Sequence, residues 1–141
     1  MKKHLVIILF LVVLLCLQVL AFSAEPGNRI IIGKLSEYPV NTIKFIPQHK
    51  LIIFSDKYGI YAMSAKCTHK GCLLSFKKDK DIFACPCHGA QFSKDGSVAR
   101  GPAKDALAWY SIKINEKKEL IVDMGQVVHV GTKYKFIDPS P

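Results

Sequence analysis

The 141-residue chain is the size of one domain and half of its residues are apolar, which supplies one ordinary core and excludes a second catalytic domain. Its 20 Lys and Arg against 11 Asp and Glu give a net charge of +9. The lysines are scattered, with no arginine-rich run and no interleaved aromatic platform, so nucleic acid is set aside as a partner. The charge suits a solvated face, an acidic partner or anionic headgroups.

The first element is the apolar run Leu5 to Phe22, whose single polar member is Gln18. It follows Lys2, Lys3 and His4, so the positive end stays in the cytoplasm while the rest of the chain crosses. As a helix the run spans about 27 Å, long for a signal peptide and short for an anchor. A retained anchor through residues 5–22 is the preferred expectation. The alternative is a signal peptide cut after Ser23, where Ala21 and Ser23 supply the small residues; a cut after Ala24 would misplace bulky Phe22. Cys16 follows Leu15, which is too large for lipoprotein cleavage, and reads as a small apolar residue of the run. Residues 1–24 are therefore a signal anchor or signal peptide, and residues 25–141 an exported domain. That domain faces the periplasm or exterior from the cell membrane, or is released if the segment is cleaved. Without Lys2 and Lys3 it keeps a charge of about +7.

From Glu25 onward there is no helical periodicity and no repeat, only short β-rich runs separated by turns, the pattern of an antiparallel all-β domain. Strands are expected at Arg29 to Leu35, Thr42 to Ile46, Leu51 to Phe54 and Ile60 to Ala65. Leu73 to Phe76 and Ile82 to Ala84 form a small hairpin across the charged turn Lys77 to Asp81. Tyr110 to Asn115 alternates apolar and polar residues and turns back through Lys117 into Leu120 to Asp123, a hairpin with one buried face. The tail from Gln126 reads as a last strand and a frayed end.

The small hairpin sets two chemically loaded segments side by side. They read Cys67-Thr68-His69-Lys70-Gly71-Cys72 and Cys85-Pro86-Cys87-His88-Gly89, with 15 residues between His69 and Cys85. Each supplies Cys and His at close spacing, and Gly71, Pro86 and Gly89 permit the tight turns that let a pair close on one metal. From the residues alone a structural zinc-binding module stays open, because two Cys and two His satisfy a tetrahedral site, although zinc fingers pair like with like at longer spacings. Two structural disulfides also stay open, but they leave both histidines unexplained. His49 and His129 have no ligand-type neighbour at useful spacing and read as structural, and Trp109 and Tyr110 read as core.

The two segments resemble the Rieske family, whose loops read C-T-H-x-G-C and C-P-C-H-G, and the likeness covers nearly the whole exported domain. It implies a Rieske-type antiparallel β-sandwich with a small cluster-binding subdomain at about 66–103, preceded by one N-terminal apolar helix. It implies one 2Fe-2S cluster, with Cys67 and Cys85 on one iron, His69 and His88 on the other, and a disulfide between Cys72 and Cys87. Gly101, Pro102 and Ala103 match the family's loop that covers the cluster. A demetallated Rieske relic stays open from the sequence, with the intact ligand set against it.

The implied role is one-electron transfer with no catalysis by the chain alone. An oxygenase is excluded by length, since only His4, His49 and His129 remain for a second iron site. Cytoplasmic Rieske ferredoxins lack the equivalents of Cys72 and Cys87. The expected role is the iron–sulfur subunit of a membrane quinol-oxidising cytochrome bc-type complex, taking electrons from quinol beside a cytochrome b and giving them to a c-type cytochrome. The alternatives are a small Rieske subunit of another exported oxidoreductase, such as arsenite oxidase, or a free exported ferredoxin. The chain departs from the family pattern at several places. Quinol-oxidising members carry Ser and Tyr, whose hydroxyls donate to the cluster, where this chain has Ala90 and Phe92. Lys104 and Ala106 stand where further prolines are common, and Lys2-Lys3 replaces the usual twin arginines. About six residues separate Phe22 from Arg29, a short hinge for a swinging head.

Overall fold

A computed structural model describes residues 28–135, so the apolar segment 5–22 and residues 136–141 lie outside the described residues. No helix among the described residues is long and apolar enough to cross a membrane. Ten strands follow in chain order: β1 (Arg29–Lys34), β2 (Thr42–Ile46), β3 (Leu51–Asp56), β4 (Gly59–Ser64), β5 (Ser75–Lys77), β6 (Ile82–Ala84), β7 (Gln91–Phe92), β8 (Val98–Arg100), β9 (Trp109–Ile114) and β10 (Glu119–Val128). They pair antiparallel into a six-stranded sheet, ordered β1-β10-β9-β4-β3-β2, and a four-stranded sheet, ordered β5-β6-β7-β8. The fold is all-β, with two 3-10 turns among the described residues, at Leu35–Glu37 and Pro47–His49.

The continuous apolar run of β3 has a direct structural cause: both of its faces are covered. Leu51 and Ile53 point into one core with Ile60, Ala62, Ile112 and Leu120, whereas Ile52 and Phe54 point into a second with Met63, Phe83, Phe92 and Trp109. A strand buried on both faces has no solvent side to make polar, so it does not alternate. The first core lines the six-stranded sheet; the second lies between that sheet and the small one. The β9–β10 hairpin does show its face: Ile112 is buried opposite Val122, while Lys113 is exposed. Its turn puts Lys118 at φ 59°, and Asn115 closes it by bonding the backbone N–H and carbonyl of Glu119.

Two expectations are corrected. β7 and β8 were not expected, and they turn the small hairpin into a four-stranded sheet. The separate last strand from Gln126 is absent among the described residues: a register irregularity between Asp123 and Val127 carries β10 on through Val128, still paired with β9. After it the chain returns to bond Tyr134 with Ile60.

The small sheet is inserted between two neighbours. β4 and β9 pair directly, Met63 opposite Trp109, and the Ser64 N–H donates to the Ala108 carbonyl at 2.8 Å. Everything from Ala65 to Leu107 leaves and re-enters the large sheet at that one place.

Candidate metal centre

Each of the two loops is held by the same pair of backbone hydrogen bonds. In the first, the Cys67 N–H donates to the Cys72 carbonyl at 2.8 Å and the Gly71 N–H to the Cys67 carbonyl at 2.8 Å. In the second, the Cys85 N–H donates to the Ala90 carbonyl at 2.8 Å and the Gly89 N–H to the Cys85 carbonyl at 3.1 Å. Counting from its first cysteine, each loop therefore closes on the sixth residue and reverses at the fifth. That fifth residue has φ of 76° at Gly71 and 70° at Gly89, in the left-handed region that glycine adopts without strain. The frames match, but the side chains on them do not. His69 is the third residue of its loop and His88 the fourth, while Cys87 stands third where His69 does and Cys72 stands sixth where Ala90 does.

This offset distributes the four cysteines into two kinds. Cys72 and Cys87 are joined in a disulfide that ties loop to loop. Cys67 and Cys85 are free thiols, 1% and 3% exposed. The Sγ atoms of Cys72, Cys85 and Cys87 lie within 4.8 Å of one another, but the disulfide removes two of those from service as thiolates. The two imidazoles meet edge to face with centroids 4.8 Å apart, His69 half-buried and His88 exposed.

The residues present fit a metal group. His69 Nδ1 is buried with no hydrogen-bond partner among the described residues, a costly arrangement for an atom that nothing fills. Burial, first of all, pushes the Cys67 thiol pKa up, and Cys85 beside it adds to that rise. The backbone N–H groups of His69 and Lys70 act the other way, because they favour negative charge on the Cys67 sulfur. A metal bound there would take such thiols as thiolates.

The segment after β8 lies against the second loop. Gly101 has φ 96°, and a Cβ there would stand 2.8 Å from Ala90 Cα and 3.0 Å from the Gly89 carbonyl oxygen. Ala103 is buried in the same core as Cys67 and Cys85. Thr68 Oγ1 donates to the Asp105 carbonyl at 2.7 Å, which fastens the first loop to the same segment. That link was invisible in the sequence, because nothing in local spacing joins residues 37 apart. Ala90 and Phe92 are both fully buried, the first through its carbonyl bond to Cys85 and the second paired with Phe83. Trp109 is core, stacked on Tyr61 at 4.8 Å, with its Nε1 donating to the Asp95 carbonyl. His49 and His129 are exposed and far from the loops in sequence.

Fold and site together define a class: an all-β protein whose small second sheet presents two facing Cys and His loops clamped by a disulfide. Comparison with known proteins gives the family. The Rieske [2Fe-2S] domain model matches residues 29–111, more than half of the chain, and the chain belongs to that family. It is 35% identical over 96 residues to the cytochrome b6-f complex iron-sulfur subunit of Chlorobaculum tepidum, covering 67% of this chain and 53% of that one. It is 32% identical over 99 residues to the subunit of the same name from Synechococcus elongatus, covering 65% and 55%. The chain thus spans about half the length of these relatives. Among solved structures it resembles the plasma membrane Rieske protein of the cyanobacterium Synechocystis PCC 6803, with 28% identity and a TM-score of 0.51 over 67% of this chain and 98% of that one. The chain carries a Rieske-type 2Fe-2S cluster.

Proposed function

We propose that Cys67 and Cys85 hold one iron of the cluster and His69 and His88 the other, and that the chain is a one-electron carrier. The observation that carries this reading is that the two loops together hold two free buried thiols and two adjacent imidazoles, one of them at the surface. When bound, the cluster supplies a one-electron centre whose two neutral imidazole ligands raise its potential well above that of a four-thiolate centre. The chain's own residues do the rest. His69 Nδ1, buried without a hydrogen-bond partner among the described residues, would bind the iron, which would leave Nε2 to hold or release a proton in step with the electron. The disulfide keeps the loops in register, and the segment from Gly101 to Asp105 shields one side of the site from water.

The role that best unites these features is that of the iron–sulfur subunit of a membrane quinol-oxidising cytochrome bc-type complex, in keeping with the names of the curated relatives. Its donor is quinol beside a cytochrome b, its acceptor a c-type cytochrome, and its anchor the run Leu5 to Phe22, with residues 25–141 outside the cytoplasmic membrane. A second reading, a small Rieske subunit of another exported oxidoreductase, is favoured by one observation: about six residues separate Phe22 from Arg29, a short hinge for a swinging head.

Paramagnetic resonance of the iron-loaded, reduced protein tests the centre, and the expected spectrum has the low average g value of mixed Cys and His ligation. A four-thiolate spectrum, or stoichiometric zinc without iron, would refute it. The genes beside this one test the role: a cytochrome b supports the quinol complex, a molybdenum oxidase overturns it.

A further inference from the structure

Beside the first loop lies an open cleft of about 520 Å³, lined by Lys66, Thr68, His69 and Lys70 on one wall and Asp105 and Ala106 on the other. Both lysines are exposed, and the Lys66 stem folds across the loop, its Cε 3.0 Å from where a Cβ on Gly71 would stand. Lys104, also exposed, sits between Ala103, which is buried with the free thiols, and Asp105, which is fastened to Thr68. The ion pairs among the described residues join Arg29 to Asp123, Lys44 to Glu37, Lys94 to Asp81 and Lys133 to Asp56. Lys66, Lys70 and Lys104 therefore have no carboxylate partner among the described residues. Two of these lysines, Lys66 and Lys70, line the concave site beside half-buried His69, and Lys104 directly precedes its one carboxylate, Asp105.

We propose that this cleft is the docking surface for an electron-transfer protein with an acidic rim around its own redox centre. The inference rests on the electron-carrier reading above and adds the chemistry of the partner. Unpaired cations around a concave redox site raise the local concentration of an anionic partner and orient it with its centre towards His69, an effect worth ten- to a thousandfold in association rate at low salt. A headgroup surface also carries negative charge, but it is broad and flat and cannot enter a cleft. Lys117 and Lys118 lie in the β9–β10 turn, past the end of a strand that runs about 17 Å from Trp109 to Ile114.

The test is stopped-flow oxidation of the reduced, full-length protein by two pairs of probes: ferricyanide against tris-phenanthroline cobalt(III), and an acidic plastocyanin against a basic cytochrome c. The quantity read is the ratio of rate at low salt to rate at high salt, because a change in driving force cancels from it. For ferricyanide and plastocyanin the ratio should be about tenfold or more, and for the two cationic probes one or below. K66Q/K70Q/K104Q should bring the anionic probes' ratio down at least threefold, and K117Q/K118Q should leave it unchanged. Equal ratios for probes of opposite charge would overturn the proposal, as would a triple variant with the parent's ratio. It would also fall if the triple variant lost binding to phosphatidylglycerol vesicles while its ratios stood. A failure of the electron-carrier reading is distinguishable, because the parent protein would then show no mixed-ligand cluster spectrum.

Discussion

Ala90 and Phe92 give a measurable handle on the centre's potential. Both are fully buried; the Ala90 carbonyl receives the Cys85 N–H at 2.8 Å, and Phe92 pairs with Phe83, two residues before Cys85. Neither can donate a hydrogen bond from its side chain. In the relatives that carry Ser and Tyr at these positions, a hydroxyl donates to a cluster that gains one negative charge on reduction. A bond to a charged acceptor is worth roughly 1.5 to 3 kcal/mol against about 1 for a neutral one, so each donor favours the reduced state by about 1 to 2 kcal/mol. A one-electron couple shifts about 59 mV per tenfold in equilibrium, or about 43 mV per kcal/mol. Two absent donors therefore place the midpoint on the order of 100 mV below that of hydroxyl-bearing relatives, which suits a low-potential quinol such as menaquinol. Installing A90S and F92Y should raise the potential, the pair more than either alone. Protein-film voltammetry reads this directly. A hydroxyl buried without an acceptor would instead cost about 1 to 3 kcal/mol of stability, so a thermal melt run alongside tells a satisfied donor from an orphaned one. A parent midpoint already as high as that of hydroxyl-bearing relatives would refute the reasoning, as would an unmoved midpoint in the double variant.

Replacing both Cys72 and Cys87 by Ser opens a loop with sequence separation 15, which should cost about 3 kcal/mol in denaturant unfolding and speed cluster loss followed by visible bleaching. G101A forces a Cβ into the left-handed region and to within 2.8 Å of Ala90 Cα, so it should lower stability by about 1 to 3 kcal/mol; an unchanged melting temperature would show that the covering segment is free to shift. Burial pushes the Tyr38 and Tyr61 hydroxyls up to about 12, so the unfolded chain ionises them first. Stability is complete below pH 10 and falls as pH climbs from 10 towards 12, and melts recorded with phenolate absorbance should show unfolding and ionisation together. Removing the iron under non-reducing conditions leaves the Cys85 thiol within 4.8 Å of the Cys72–Cys87 sulfurs, and exchange that breaks that bond should then give Cys85 linked to Cys72 with Cys87 released as a free thiol, both detectable by peptide mapping.

The sequence made some elements plain and hid others for physical reasons. β2 and β6 lie at their expected bounds, because each is a short β-rich run with a turn on both sides. β7 and β8 have two and three residues, too few for any alternation to show; their pairing is imposed by β6 and by the core beneath Phe92. The overrun of β10 was hidden because an irregularity in the ladder leaves no mark in apolar spacing. At the site, Cys and His at close spacing identified the two loops. The identity of their backbone frames did not show, since His69 and His88 occupy different steps of the same turn and the hydrogen bonds that reveal it are main-chain. The fastening of Thr68 to Asp105 depends on tertiary approach alone.

The direct pairing of β4 with β9 makes the chain's redox unit a cassette. Its entry and exit are hydrogen-bonded neighbours, so residues 65–107 connect to the rest as a hairpin loop would, and any antiparallel strand pair of similar twist offers the same two attachment points. Grafting is nonetheless conditional. Ile52, Phe54, Met63 and Trp109 belong to the host side of the shared core, and a recipient sheet must present a comparable apolar face for Phe83 and Phe92 to settle on. By the same logic, a short turn in place of the cassette would keep the six-stranded ladder but uncover that face, leaving a sheet prone to pair with copies of itself.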